Sequence, residues 1–263
     1  MQYFILLYIY NLMLAHKNNE KVIIFDMDET LGYFYEFSIM LDAIERFYNK
    51  KLTYSQMSCV LDLYPEYFRP SIFTILKYLS NLKEKKIISK LFIYTNNQGG
   101  KKWTNFIKKY IEEKIDYPIF DQLIQAFKIN GVQIEKSRTT HQKSHKDFIK
   151  CTKISDKTKI CFIDDQEHPK MEHDNVYIIN INPYKYCLNK KIMINRFIRY
   201  TLLNTTFDKI IKKNIELFKN HVNNLFTNVY RYEYTEKKEK EYIVDKVVSK
   251  RLVFLLDEFI QDF

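Results

Sequence analysis

Glycine and proline are scarce in this chain, with only four and five in 263 residues. That scarcity excludes collagen-like repeats and Gly/Ser-rich or Pro-rich linkers, and no internal repeat is present. Tryptophan occurs once. The four cysteines, Cys59, Cys151, Cys161 and Cys187, show no C-x-x-C or Cys/His zinc spacing, so they read as reduced, buried thiols of an intracellular protein. No apolar run is long enough for a transmembrane helix. The longest, residues 3–15, is broken by Asn11 and lacks a basic leader, which fits a signal peptide poorly. Three readings of it stay open: a helix packed on the domain, a weak membrane anchor, or an upstream extension whose natural start is Met13.

What is abundant points to a folded protein. Apolar residues make up 46% of the chain and aromatics 16%, which argues against disorder. The length fits one domain with an appendage. The net charge of +10 invites a nucleic-acid or acidic-substrate reading. Yet Lys outnumbers Arg five to one, a bias expected of an AT-rich genome, whereas forked recognition of phosphate favours Arg.

The most informative stretch is Val22-Ile23-Ile24-Phe25-Asp26-Met27-Asp28-Glu29-Thr30-Leu31. Four apolar residues predict a buried strand, and two carboxylates follow at its carboxyl end. Residues two apart in an extended segment point the same way, so Asp26 and Asp28 crowd one volume. Like charges there repel unless a cation or a shared proton lies between them. An acidic turn after a strand is the plainer alternative.

Further along, Ile39, Leu41, Ile44 and Phe47 predict a short amphipathic helix, and residues 52–63 another half-buried element. Pro65 and Pro70 mark a turn. Ser71 opens a helix carrying Ile72, Ile75, Leu76, Leu79 and Leu82. A second apolar strand, residues 87–94, ends in Thr95-Asn96-Asn97-Gln98-Gly99-Gly100, and Trp103, Phe106, Ile107 and Tyr110 resume helical spacing. Residues 120–127 read as strand-like. Ser144-His145-Lys146-Asp147 has the form of a capping box. Ile160-Cys161-Phe162-Ile163 is a third strand, ending in Asp164-Asp165, and residues 176–181 a fourth. From Tyr186 the pattern is helical, with a charged break at 236–241 before a last helix over 242–259. Ile243, Val244, Val247, Leu252, Phe254 and Leu255 make that helix apolar enough to need a partner surface.

Strands alternating with helices predict an α/β fold with a mainly parallel sheet. Ligands of such sheets bind outside the carboxyl ends of the strands. That rule gathers Asp26 and Asp28, Thr95, and Asp164 and Asp165 on one rim. Carboxylates without His or Cys ligands form a hard oxygen site suited to Mg2+. A carboxylate attacking phosphorus, with a second carboxyl as acid and base, gives phosphoryl transfer.

The order D-x-D-x-T, a strand ending in Thr, a Lys, then a strand ending in Asp-Asp resembles the haloacid dehalogenase (HAD) superfamily over roughly residues 20–184. The resemblance implies a HAD-like Rossmannoid parallel sheet flanked by helices, a small flap or insert after the first strand, and a helical C-terminal extension. The implied division is an apolar segment at 1–19, a phosphatase domain at 20–185 and a helical extension at 186–263. It further implies that Asp26 is the nucleophile and a Mg2+ ligand. Asp28 is then the acid/base and offers its carbonyl to the metal. Thr95 binds the phosphoryl group, Asp164 is a further metal ligand, and Asp165 stands behind it or acts through water. Either Lys143 or Lys146 is the catalytic lysine. Thr30, Asn96 and Arg138 are candidate substrate contacts, with a salt bridge the plainer role for Arg138. His168 and His173, flanking Met171, read as loop or surface histidines.

Glu29 after Asp28, with Phe68-Arg69-Pro70, resembles the FCP/SCP (NIF-like) branch, which dephosphorylates phosphoserine in protein tails, including that of RNA polymerase II. That branch carries Gly after Arg-Pro, where this chain has Ser71. The composition, with Tyr94-Thr95-Asn96-Asn97-Gln98 and Ile163-Asp164-Asp165-Gln166 before His168-Pro169, is similar to homologues in large DNA viruses. Thr95-Asn96-Asn97-Gln98-Gly99 also resembles, with one residue inserted, the T-N-Q-x-G of polynucleotide 3'-phosphatases and histidinol-phosphate phosphatases. Those branches carry Gly where Glu29 stands. A HAD-fold binding module without chemistry is the non-enzymatic alternative.

Overall fold

The structure, a computed structural model, describes residues 20–207 and 210–263. The apolar run at 3–15 lies outside the described residues. The chain divides into two compact units, each discontinuous in sequence. The first comprises the described residues up to Leu31, Ser71–Pro183 and Lys246–Phe263. The second comprises Gly32–Pro70 and Tyr184–Asp245. The expected insert after the first strand thus belongs to the same unit as most of the expected C-terminal extension.

The first unit is built on a five-stranded, all-parallel sheet flanked by helices, an α/β architecture compatible with a Rossmann-like fold. Its strands are β1 (Lys21–Phe25), β2 (Lys90–Tyr94), β3 (Phe120–Ile124), β6 (Lys159–Asp164) and β7 (Val176–Asn180), in the order β3-β2-β1-β6-β7. A two-stranded antiparallel hairpin, β4 (Lys128–Ile129) and β5 (Val132–Gln133), follows β3. The central strand β1 is a continuous apolar run because a parallel strand is covered on both faces. Val22 and Ile24 join Phe92, Tyr94, Phe148, Phe162 and Met171 in one core cluster. Ile23 and Phe25 alternate with them and are equally buried.

Between these strands lie three helices, α3 (Ile72–Glu84), α4 (Gly100–Ile115) and α5 (His145–Thr152). The two N-terminal to them, α1 (Tyr35–Tyr48) and α2 (Tyr54–Leu61), belong to the second unit. The predicted stripe on α3 is buried at Ile72, Ile75, Leu76, Leu79 and Leu82. Two start signals act differently from expectation. Ser71 precedes α3 in the left-handed region, φ +61°, and its side chain makes no cap. The Ser144 hydroxyl accepts the Asp147 N–H at 3.1 Å, but the Asp147 carboxylate turns to the Thr139 N–H and hydroxyl. The capping box is therefore only half formed.

The second unit also contains α6 (Lys190–Leu203), α7 (Ile210–Lys213) and α8 (Ile215–Asn224), followed by a π-helical turn at Leu225–Val229. Phe197 packs near Phe207 and Phe218, with ring centroids 5.1 and 5.5 Å apart. Arg196 donates two hydrogen bonds to the Glu66 carboxylate at 2.9 and 2.6 Å, a bidentate geometry that fixes orientation as well as charge.

The last helix, α9 (Glu239–Asp262), begins three residues before its predicted start, and the charged break runs into its first turn. Its C-terminal end lies against the sheet of the first unit. The Lys21 Nζ donates to the Ile260 carbonyl at 2.6 Å, and the Tyr78 hydroxyl to Asp257 at 2.5 Å. Leu252, Leu256 and Phe259 are buried, while Ile243, Val244, Val247 and Phe254 are exposed. Of the four cysteines only Cys161 is fully buried, and all four are free thiols. Among the described residues no helix is long and apolar enough to cross a membrane.

Candidate active site

The parallel sheet delivers its polar strand ends to one rim. Asp26 follows β1, and its N–H donates to the Ile163 carbonyl of β6 at 2.9 Å. Thr95 follows β2, and its N–H donates to Ile124 of β3 at 3.0 Å. Asp164 closes β6. Ligand oxygens of Asp26, Asp164 and Asp165 all lie within 4.8 Å of one another.

Lys143, immediately before the cap of α5, completes this cluster. Its Nζ bonds the Asp26 Oδ1 and donates to Asp164 Oδ2 at 2.6 Å, and its side chain is 2% exposed. Lys146, the other candidate, is exposed on α5. The difference is positional: the residue before the cap enters the rim, whereas the second residue of the helix faces solvent.

Burial and charge act against each other here. Burial raises the Asp26 pKa to about 8, with Asp164 and Asp28 adding to the rise and Lys143 opposing it. Burial also raises Asp28, partly countered by the Asn97 amide, whose Nδ2 donates to Asp28 Oδ2 at 2.7 Å. Burial pulls Lys143 down, but Asp26 and Asp164 outweigh it and hold the ammonium above its ordinary pKa. Asp164 moves the other way from Asp26. Burial pushes it up, but His168, Lys143 and the Gln166 N–H bring it below the usual carboxylate range.

Asp26 and Asp164 share the Lys143 ammonium, and a carboxylate oxygen of Asp165 lies within 4.8 Å of theirs. An all-oxygen donor set of this kind fits a hard divalent cation. Asp26, Asp164 and Asp165 are the side chains that would hold it.

The remaining candidates take definite positions. The Thr95 hydroxyl accepts the Asn97 N–H at 3.0 Å, leaving its own proton to donate. The Thr30 hydroxyl donates to Asp165 Oδ1 at 3.2 Å. Arg138 makes no salt bridge among the described residues. It is buried under the Tyr94 ring and donates to the carbonyls of Thr95, Gln125 and His141 and to Asn96 Oδ1. Arg138 and Asn96 thus brace the loop after β2 by satisfying backbone acceptors that burial would otherwise strand.

Sequence reading missed two residues. Asn97 ties Thr95, Asp28 and the Gly99 N–H together. Its signal was the Thr95–Gly100 loop itself, in which Thr95 and Asn96 were candidates and Asn97 was not. His168, read as a loop or surface histidine, lies in the turn after β6 and places Nε2 3.3 Å from Asp164 Oδ2 beside the Phe162 ring. Only the turn after β6 brings it back, so its spacing carried no signal. His173 does lie exposed, stacked on His145 with ring centroids 4.0 Å apart.

Compared with family models, curated proteins and solved structures, the chain gives no match. The HAD resemblance therefore rests on the sequence motifs alone.

Proposed function

We propose that the protein is a Mg2+-dependent phosphomonoesterase that acts through an aspartyl-phosphate intermediate. The observation that carries this reading is the Lys143 ammonium bridging Asp26 and Asp164, with Asp165 beside them and Asp28 and Thr95 on the same rim. Asp26 attacks phosphorus and the bond to the ester oxygen breaks. Asp28, whose raised pKa suits a carboxyl that carries a proton, gives that proton to the departing oxygen. It then takes a proton from the water that attacks the phosphorus, and the bond to Asp26 breaks to release phosphate. Thr95 donates to a phosphoryl oxygen, and Lys143 offsets the charge of Asp26 and Asp164. Mg2+, when bound, supplies neutralisation of the phosphoryl oxygens.

Two backbone observations support the family likeness. Glu29 and Ser71 stand where related branches carry glycine, and both adopt the left-handed region glycine favours, at φ +59° and +61°. The substrate class we propose is phosphoserine or phosphothreonine in an intracellular protein tail, of the kind found in RNA polymerase II. The competing substrate is a 3'-phosphorylated polynucleotide end.

Asp26→Asn tests the chemistry. A carboxamide cannot attack phosphorus, so turnover of an aryl phosphate should fall by more than about a thousandfold, with no phosphoenzyme formed. Wild-type turnover in that variant would remove Asp26 from the mechanism. A kcat/KM comparison of a phosphoserine heptad-repeat peptide with a 3'-phosphorylated oligonucleotide tests the substrate. The peptide should be preferred, and preference for the oligonucleotide reverses the assignment. Inertness toward every phosphoester, with Mg2+ bound, would indicate a binding module instead.

A further inference from the structure

A cation already sits among aromatic rings in the second unit. The Lys237 side chain is 8% exposed, its Nζ pairs with Asp245, and it donates to the Lys185 carbonyl at 2.6 Å. That Nζ lies 4.5 Å from the centre of the Tyr184 ring and 5.7 Å from those of Tyr186 and Tyr242. Three aromatic rings and a carboxylate are the chemistry that holds an ammonium away from bulk water. The Tyr242 hydroxyl donates to Tyr186 at 2.6 Å, and the two rings meet edge to face. Burial raises the pKa of both Tyr184 and Tyr186, which keeps these phenols neutral.

Tyr186 and Tyr242 also border a cavity of about 390 Å3, within the size range of small-ligand sites. Tyr234, Ile192 and the carboxylates of Glu236 and Glu239 form other parts of its wall. Neither carboxylate is engaged in an ion pair among the described residues. Lys237 is the basic side chain in the lining, and Asp245 neutralises it. In a chain of net charge +10, the cavity therefore carries surplus negative charge. Two helices begin at its edge, and their N-terminal dipoles favour anions. Both are already countered: Asn189 caps α6 by accepting the Lys191 N–H, and Glu239 and Glu241 occupy the first turn of α9.

We infer that this cavity binds the ammonium group of an organic cation, supplied by a peptide lysine or a free polyamine. The ammonium meets Glu236 and Glu239, and the alkyl stem lies against Tyr234, Tyr242 and Ile192. Tyr242 is common to the proposed site and to the cage that holds the Lys237 ammonium.

Calorimetric titration of the full chain at physiological salt tests this, with spermidine in one arm and a blocked lysine tripeptide in the other. One saturable site is expected, and the tighter arm names the source of the ammonium. The double variant Glu236→Gln/Glu239→Gln should weaken it at least about tenfold, and both side chains are exposed, so the fold should survive. Asp26→Asn, which removes charge from the other acidic cluster, should leave this binding unchanged. Affinity weaker than about 10 mM in both arms, or binding that persists in the double variant, would overturn the inference. So would inorganic phosphate or an acidic peptide binding at these residues.

Discussion

Two buried carboxylates close in sequence, Asp26 in the first unit and Glu36 in the second, are held in opposite ways. Burial raises both, Asp26 to about 8 and Glu36 to about 7. Asp26 is opposed by an ammonium, Lys143, and crowded by Asp164 and Asp28. Glu36 makes no ion pair among the described residues. It accepts hydrogen bonds from the Leu188 N–H and the Tyr67 hydroxyl, both at 2.9 Å, and from the Tyr232 hydroxyl and the Cys187 thiol. These donors come from separate segments of the second unit, so Glu36 acts as a tie. A carboxylate satisfied by neutral donors holds structure together. One left among like charges has unspent charge for a cation or a reaction.

The comparison breaks most sharply at Lys143. Lys143→Met leaves Asp26 and Asp164 buried without their counter-charge and should cost about 3–5 kcal/mol, read as a drop in the urea midpoint of the full chain. A loss below about 1 kcal/mol would show that the cluster does not depend on that ammonium.

Glu36 gives the next effect, through pH. Its folded pKa of about 7 lies above its ordinary 4.5. The stability gained by keeping its proton is therefore complete below about pH 4.5 and is lost as pH rises through about 7. A shift of that size corresponds to about 3 kcal/mol. Glu36→Gln keeps the shape without the charge, so the difference between wild-type and variant midpoints should grow across that window. A constant difference would assign the slope to another group. The smallest test is Tyr67→Phe, which removes one neutral donor from Glu36 and should cost about 1 kcal/mol in thermal or urea unfolding.

Much of the fold was legible because its signals are local. The apolar runs ending in Phe25, Tyr94 and Ile163, and the stripe from Ile72 to Leu82, are each encoded within a few neighbouring residues. The strand-end rule places Asp26, Asp28, Thr95 and Asp164 on one rim from sequence order alone. Residues whose role depends on distant backbone were not legible. Arg138 read as a candidate substrate contact with a salt bridge as its plainer role, whereas three carbonyls and the Asn96 side chain accept from its guanidinium. Glu36 carried no sequence signal, because its partners lie between 31 and 196 positions away.

By itself the sequence determined the alternation of strands and helices and the carboxylate pair at the end of the first strand, since both are encoded within a few residues. Only the tertiary structure placed Lys143 in the rim and Lys146 in solvent, because in a lysine-rich chain that depends on how the chain turns into α5. It also decided that Asn97 and His168 join the cluster and that Arg138 does not. Those outcomes depend on which buried donor meets which buried acceptor, a matter of three-dimensional proximity that sequence spacing does not carry.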